Sequence, residues 1–192
     1  MFEELIDATP ETAKRLLGSE LVRVLPEGEV RVRIVETELY RQDDAASHSY
    51  RGETPRTSVM FGPSGFAYVY FTYGMHYCFN VVIGGAGEGA AVLIRAVEPI
   101  DAKSANIMSQ YRSKFAARDV NLCNGPAKLC QAMLIDKDLN GHNLENGALQ
   151  LRMKEQLDES KIVTTTRIGI SKAKDMPWRF YNNESKYVSK LM

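Results

Sequence analysis

Two carboxylates and an aromatic stand where an apolar strand is expected to run on, in Val35-Glu36-Thr37-Glu38-Leu39-Tyr40. Alternate residues of a strand share a face. On strict alternation the face of Val30, Val32 and Ile34 therefore continues into Glu36, Glu38 and Tyr40, while Arg31, Arg33, Val35, Thr37 and Leu39 point the other way. A carboxylate buried without a partner costs so much that it shifts its pKa or recruits a cation or hydrogen-bond donors, and general bases are made in this way. The competing reading is a strand that emerges into solvent after Ile34, where exposed glutamates are ordinary.

A second group is aromatic. Tyr68-Val69-Tyr70-Phe71-Thr72-Tyr73-Gly74-Met75-His76-Tyr77-Cys78-Phe79 reads as two strands joined across Tyr73-Gly74, where glycine permits the positive φ of a tight turn. Tyr73 then sits at an exposed tip, a place usually held by Asn, Asp or Gly, and a projecting aromatic is what proteins use as a wedge between base pairs. Tyr68, Tyr70 and Tyr77 taken alone are better explained by sheet packing than by ligand contact.

The elements that must hold these groups follow from local signals. Thr9 can cap a helix with Pro10 at its first position, Glu11 complementing the dipole and Gly18 after its last turn, which predicts a helix over 10–17. Segments 21–25, 30–40, 67–72, 75–83, 91–97 and 163–169 are rich in Val, Ile, Tyr, Phe or Thr and predict strands. Helices are expected over 102–111 and 126–135, the latter begun by Asn124-Gly125-Pro126. Successive strands with few, grouped helices indicate an α+β fold with a curved, mostly antiparallel sheet or open barrel, peripheral helices and a protruding β-hairpin. The long loop from Arg41 to Gly65 is of a length that tends to be functional.

Composition sets the outer bounds. At 192 residues and 44% hydrophobic content the chain fits one domain over 1–192. Cys78, Cys123 and Cys130 leave an odd cysteine under any pairing and match no zinc or redox spacing, so a reducing compartment is expected. The acidic start, Met1-Phe2-Glu3-Glu4-Leu5, lacks the positive charge of a secretory signal, and no apolar run is long enough for a membrane helix. The expectation is a soluble intracellular protein. Net charge is zero but unevenly spread. Residues 102–135 hold Lys103, Arg112, Lys114, Arg118 and Lys128 against Asp119, and residues 161–192 hold seven bases against Asp175 and Glu184. If these stretches met on one face, a phosphate backbone would feel them; otherwise they are solvated faces.

Taken together, Ile34-Val35-Glu36-Thr37-Glu38-Leu39-Tyr40, Asp44-Ala45-Ala46-Ser47-His48-Ser49, Thr54-Pro55-Arg56, Met60-Phe61, Tyr68-Val69-Tyr70, Tyr73-Gly74-Met75, Asn80, Leu93-Ile94-Arg95-Ala96-Val97-Glu98-Pro99 and Gly125-Pro126-Ala127-Lys128-Leu129-Cys130-Gln131 resemble the alkyladenine (3-methyladenine) DNA glycosylases of the type without a helix-hairpin-helix. The resemblance runs in order from about Phe2 to Arg179-Phe180-Tyr181. It implies that Glu38 is the general base that activates water and that Arg95 helps hold the water and the carboxylate. It further implies that Tyr73 takes the place of the flipped nucleotide, that Tyr40, His48 and Tyr70 stack on the extruded base, and that Asn80 discriminates against the guanine 2-amino group. Two departures, a segment from Tyr40 to His48 one residue shorter than in the vertebrate form and His76 in place of a tyrosine, bear on substrate range. On strict alternation Tyr70 and Asn80 fall on opposite faces of the hairpin, so a bulge or a different register is needed for both to line one pocket.

The implied reaction is monofunctional hydrolysis of the N-glycosidic bond of alkylated or deaminated purines by base flipping, leaving an abasic site, since no motif places a Schiff-base lysine. A non-catalytic sensor of damaged DNA would share the hairpin and the pocket. A glycoside hydrolase is excluded, because Glu36 and Glu38 on one strand could not flank a sugar from both sides. Asp136-Lys137-Asp138-Leu139-Asn140-Gly141 copies half of a calcium loop but has Gly147 at its twelfth position, so a turn is the better reading. His48, His76 and His142 lack metal-ligand spacing, and no metal or cofactor is expected. The expected partner is double-stranded DNA containing damaged purines, bound by a monomer with no membrane, in a bacterial cytoplasm or a eukaryotic nucleus.

Overall fold

The computed structural model describes residues 2–112, 117 and 119–189, so Lys114, Arg118 and Lys190 of the basic stretches lie outside the described residues. Helix α1 (Pro10–Arg15) begins as expected, with Thr9 Oγ1 accepting from the Thr12 N–H at 3.3 Å and Lys14 and Arg15 in its last turn. It ends earlier than expected because the chain turns through Gly18 at φ +85°, whose N–H donates to Ile34 O and hands the backbone to the sheet. Helix α2 (Ala102–Tyr111) is capped by Asp101, and α3 (Pro126–Ala132) starts at its proline and stops short of Ile135. The calcium-loop look-alike is a 3-10 turn, Lys137–Leu139, capped by Asp136.

Eight strands form one open, antiparallel sheet: β1 (Glu20–Leu25), β2 (Gly28–Tyr40), β3 (Ala67–Thr72), β4 (His76–Ile83), β5 (Ala90–Pro99), β6 (Leu149–Arg152), β7 (Ile162–Thr165) and β8 (Arg179–Asn182). The order is β3-β4-β5-β2-β1-β6, with β8 joining β2 and β7 joining β8. The short strands β6 and β8 were not expected, and β7 ends at Thr165 rather than running to Gly169. The thirteen-residue β2 organises the sheet. It pairs with β5 along 32–40, while β1 along 28–33 and β8 along 36–38 share its other edge.

A bulge in β2 overturns the strict-alternation reading. The register with β5 shifts between Ile34 and Glu36 and again between Glu36 and Thr37, so that Val35 and Arg95 are passed over in the pairing. Each added residue reverses the faces beyond it. Ile34 and Val35 both join the main core, and the row Ala67, Val81, Val92, Leu39 lies on that core face by direct pairing. The neighbouring row, Tyr68, Asn80, Leu93, Glu38, lies on the opposite face. Glu38 and Tyr40 therefore do not continue the face of Val30, Val32 and Ile34. Nor does the strand emerge into solvent, since Glu36 and Glu38 are both 0% exposed.

The main core packs α1, α2 and α3 against the sheet through Ala13, Met108, Leu129 and Cys130 among others. A smaller cluster of Met60, Tyr68, Val82 and Ala91 forms under the 41–65 loop, so the opposite face of the sheet is also covered there. The three cysteines are free and buried.

The hairpin also differs in register from the expectation. Thr72 pairs with His76, which leaves Tyr73, Gly74 and Met75 in the loop, rather than Tyr73 and Gly74 alone. The additional residue restores parity: Tyr68 faces Asn80 and Tyr70 faces Cys78, so Tyr70 and Asn80 share one face without any bulge in the strands.

Candidate active site

On that face a cavity of about 350 Å³ is lined by Tyr40 from β2, Tyr70 from β3, Asn80 from β4 and Arg95 from β5, with His48 from the long loop and Tyr73 from the hairpin tip. Ile168, Gly169 and Ile170 close another side. Six of the seven expected site residues thus meet around one space. Glu38 does not line it; its carboxylate stands behind the wall, bonded to three lining residues. Tyr40 Oη donates to Glu38 Oε2 at 2.8 Å, the Ile168 N–H donates to Oε1 at 2.8 Å, and Arg95 Nη1 lies 3.2 Å from Oε2.

Glu36 is placed differently. It receives Arg95 Nε at 3.2 Å, Arg179 Nε at 2.6 Å, the Ser189 hydroxyl at 2.8 Å and the Ser189 N–H at 2.7 Å. An ionised carboxylate offers about four acceptor positions. Arg95 Nε, Arg179 Nε and the Ser189 hydroxyl converge on Glu36 Oε1 with the Ser189 N–H on Oε2, whereas Glu38 takes two donors on Oε2 and one on Oε1, which leaves Oε1 a position for a further donor such as water; all three partners of Glu38 line the cavity, while of those on Glu36 only Arg95 does.

The surrounding groups are held in defined states. Burial, and then the Glu38 charge, push the Tyr40 phenol well above its ordinary value, so it stays a donor. Burial works to lower Arg95, but Glu38 and Glu36 outweigh it and keep the guanidinium charged. Burial, and then the hydrogen-bonded Cys78 thiol, raise Tyr70. His48 follows a turn capped by Ser47; its Nδ1 lies 3.0 Å from the Tyr68 hydroxyl and its ring meets Tyr70 edge-on at 4.5 Å. Desolvation by these walls, and then Arg56, lower its pKa, so the pocket presents a neutral imidazole at pH 7. Asn80 is buried and donates its amide to Tyr68 O at 3.0 Å.

The hairpin tip is apolar and exposed. Tyr73 is 83% exposed and is flanked by Phe71 and Met75, also exposed. Tyr73 and Gly74 both take positive φ, +53° and +67°. For a tyrosine that conformation costs about 1–2 kcal/mol, and such strain persists at functional sites.

Sequence reasoning missed Ile168, Cys78 and the pair Asp44–Arg167. Ile168 acts through a backbone N–H, which has no signature in residue type. Arg167 fell inside an expected strand; it is instead fully buried, hydrogen-bonded to Asp44 and to Leu39 O, with its guanidinium 4.6 Å from the Tyr40 ring centre.

The chain was compared with known proteins. The model of the family described as methylpurine-DNA glycosylase (MPG) matches residues 3–186. Relatives named "Putative 3-methyladenine DNA glycosylase" include one from Carboxydothermus hydrogenoformans, 53% identical over 93% of this chain and 92% of that protein. Another, from Francisella tularensis, is 48% identical over 95% and 94% of the two chains, and one from Methanoculleus marisnigri is 48% identical over the same shares. The chain belongs to the methylpurine-DNA glycosylase family. It is a glycosylase of that type.

In this methylpurine-DNA glycosylase the basic stretches are partly spent inside the fold. Arg167 and Arg179 are buried against Asp44 and Glu36, and Lys161 pairs with Glu184 at 3.0 Å, so part of the charge segregated along the chain is neutralised by acidic partners. Among the described residues no helix is long and apolar enough to cross a membrane.

Proposed function

We propose that this chain excises alkylated or deaminated purines, of the 3-methyladenine, hypoxanthine and ethenoadenine class, from double-stranded DNA by hydrolysing the N-glycosidic bond. Glu38, with one acceptor position open directly behind a small aromatic pocket, carries this reading. The damaged nucleotide turns out of the helix, and its base stacks among Tyr40, His48 and Tyr70 while Tyr73 fills the gap left in the duplex. The cavity is at the small end of ligand pockets, suited to one flat base. Glu38 is closed to bulk solvent, so the reacting water enters with the base. Glu38 takes a proton from that water, Arg95 holds both, and the carboxylate offsets the positive charge that develops at C1′. Asn80 occupies the space that a 2-amino group needs. Among the described residues no lysine lines the cavity, and the product is an abasic site left by a monofunctional enzyme. The protein acts as a monomer inside the cell, in the bacterial cytoplasm or eukaryotic nucleus.

The test is incubation with duplexes carrying a single 3-methyladenine, 1,N6-ethenoadenine or hypoxanthine, followed by alkaline cleavage at abasic sites. Cleavage at the lesion is expected. Binding without release from any of the three would replace the enzyme with a sensor of damaged DNA.

A further inference from the structure

Glu36 is the buried titratable group that the proposed reaction leaves unused. It is 0% exposed, and of its partners only Arg95 lines the cavity, so it is not the candidate base. Its partners come from three separate parts of the chain: Arg95 of β5, Arg179 of β8 and Ser189 near the C-terminus. The segment ending at Ser189 is itself anchored. Ser185 Oγ donates to Glu98 Oε2 at 3.1 Å, the Tyr187 N–H donates to Ser185 Oγ at 3.2 Å, and Tyr187 and Val188 are buried. This segment therefore runs as a strap from the end of β5 to Glu36.

We propose that Glu36, held by the Ser189 strap, is a positioning residue that orients Arg95 so that the guanidinium meets Glu38 through one nitrogen only. The proposal rests on the reading of Glu38 as the base. Arg95 gives its Nε to Glu36 and its Nη1 to Glu38. A guanidinium is a rigid planar fork that prefers to grip a carboxylate with two parallel N–H bonds. Glu36 prevents that grip by holding the Nε edge. Without its charge, Arg95 is drawn by Glu38 alone, turns to bind both oxygens and fills the acceptor position that the reacting water needs. Ser189 holds both oxygens of the Glu36 carboxylate, its hydroxyl on Oε1 beside the two arginines and its N–H on Oε2, so loosening Ser189 loosens Arg95 in turn.

The experiment uses the full-length protein and a duplex with one hypoxanthine, and separates the base-release rate at saturating enzyme from the Kd for the same DNA. Glu36→Gln is expected to lower the saturating rate about 10- to 100-fold, the scale of a misplaced catalytic group, with Kd within a few fold of wild type. Ser189→Ala is expected to lower it by a smaller factor. In an Arg95→Lys background, where no fork remains to be aimed, Glu36→Gln should cost nothing further. A saturating rate for folded Glu36→Gln within twofold of wild type, or a loss that adds to that of Arg95→Lys, overturns the proposal. If Glu36→Gln does not fold by circular dichroism, Ser189→Ala decides, and an unchanged rate overturns it. Glu38→Gln is assayed in parallel. Retained activity there removes the base and this proposal with it, whereas an inactive Glu38→Gln beside an unaffected Glu36→Gln removes the positioning role alone.

Discussion

A buried carboxylate can act as a base only if its surroundings leave it somewhere to put a proton. Glu36 and Glu38 are the same residue type two positions apart, equally buried, and both bonded to Arg95. The difference is in the partners: all three on Glu38 line the cavity, whereas on Glu36 only Arg95 does. Glu38→Gln keeps shape and hydrogen bonding but cannot take a proton, and it is expected to reduce base release about 100- to 10,000-fold while leaving lesion binding largely intact. Single-turnover rates beside gel-shift affinities check this, and turnover within a few fold of wild type would move the base off Glu38. Asn80 permits a forecast of gain. Its amide is pinned to Tyr68 O at the pocket wall, and trimming it to Ser opens space where a purine 2-amino group would collide. Discrimination of this size is worth roughly 1–3 kcal/mol, so the ratio of guanine release from a mispair to hypoxanthine release should rise in Asn80→Ser. A ratio that is unchanged or falls would put Asn80 outside the base's path.

Among the elements, the hairpin and the bulge do most to build the site. The hairpin spends strain at its tip, since Tyr73 holds φ +53° with its ring in solvent. Glycine adopts that conformation freely, so Tyr73→Gly is expected to leave the melting temperature unchanged or slightly raised, offsetting part of the ~1–2 kcal/mol cost. Its rate on a lesion in a fully matched duplex should nevertheless fall more than on the same lesion in a mispair or single strand, because nothing then fills the hole in the stack. An equal fall in every context, or a marked loss of stability, would make Tyr73 a residue of the fold. The two departures that change which face a site residue occupies lie in these elements, and both concern parity. A single extra residue in the hairpin loop and one passed over on each side of the bulge exchange the faces of everything beyond them. Residue type carries no mark of such an insertion, which is why alternation assigned Glu38, Tyr70 and Asn80 to the wrong faces.

On the scale of the whole molecule, the pocket is held by ties between distant segments. Asp44, in the long loop, and Arg167, 123 residues later, are buried together beside Tyr40 and Trp178. Removing one member of a buried pair leaves the other charge without its partner, a loss of about 3–5 kcal/mol. Asp44→Ala is therefore expected to lower the urea midpoint strongly. Glu184→Ala, which breaks the exposed pair with Lys161, should cost less than about 1 kcal/mol. Similar midpoints for the two variants would show that the Asp44–Arg167 pair does not tie the loop to the fold.

Helix starts, the aromatic hairpin, the pair of glutamates and the family resemblance were all legible in the sequence, because caps, turns and strand patterns depend on neighbours a few residues apart. The tertiary structure alone decided that Glu38, rather than Glu36, is bonded to three residues of the cavity wall. Its evidence lies in partners 59, 130, 143 and 153 residues away from the two carboxylates, two of them backbone N–H groups that every residue but proline carries. A lone pair is filled or left open by whatever the fold brings within three ångströms, and sequence distance does not measure that.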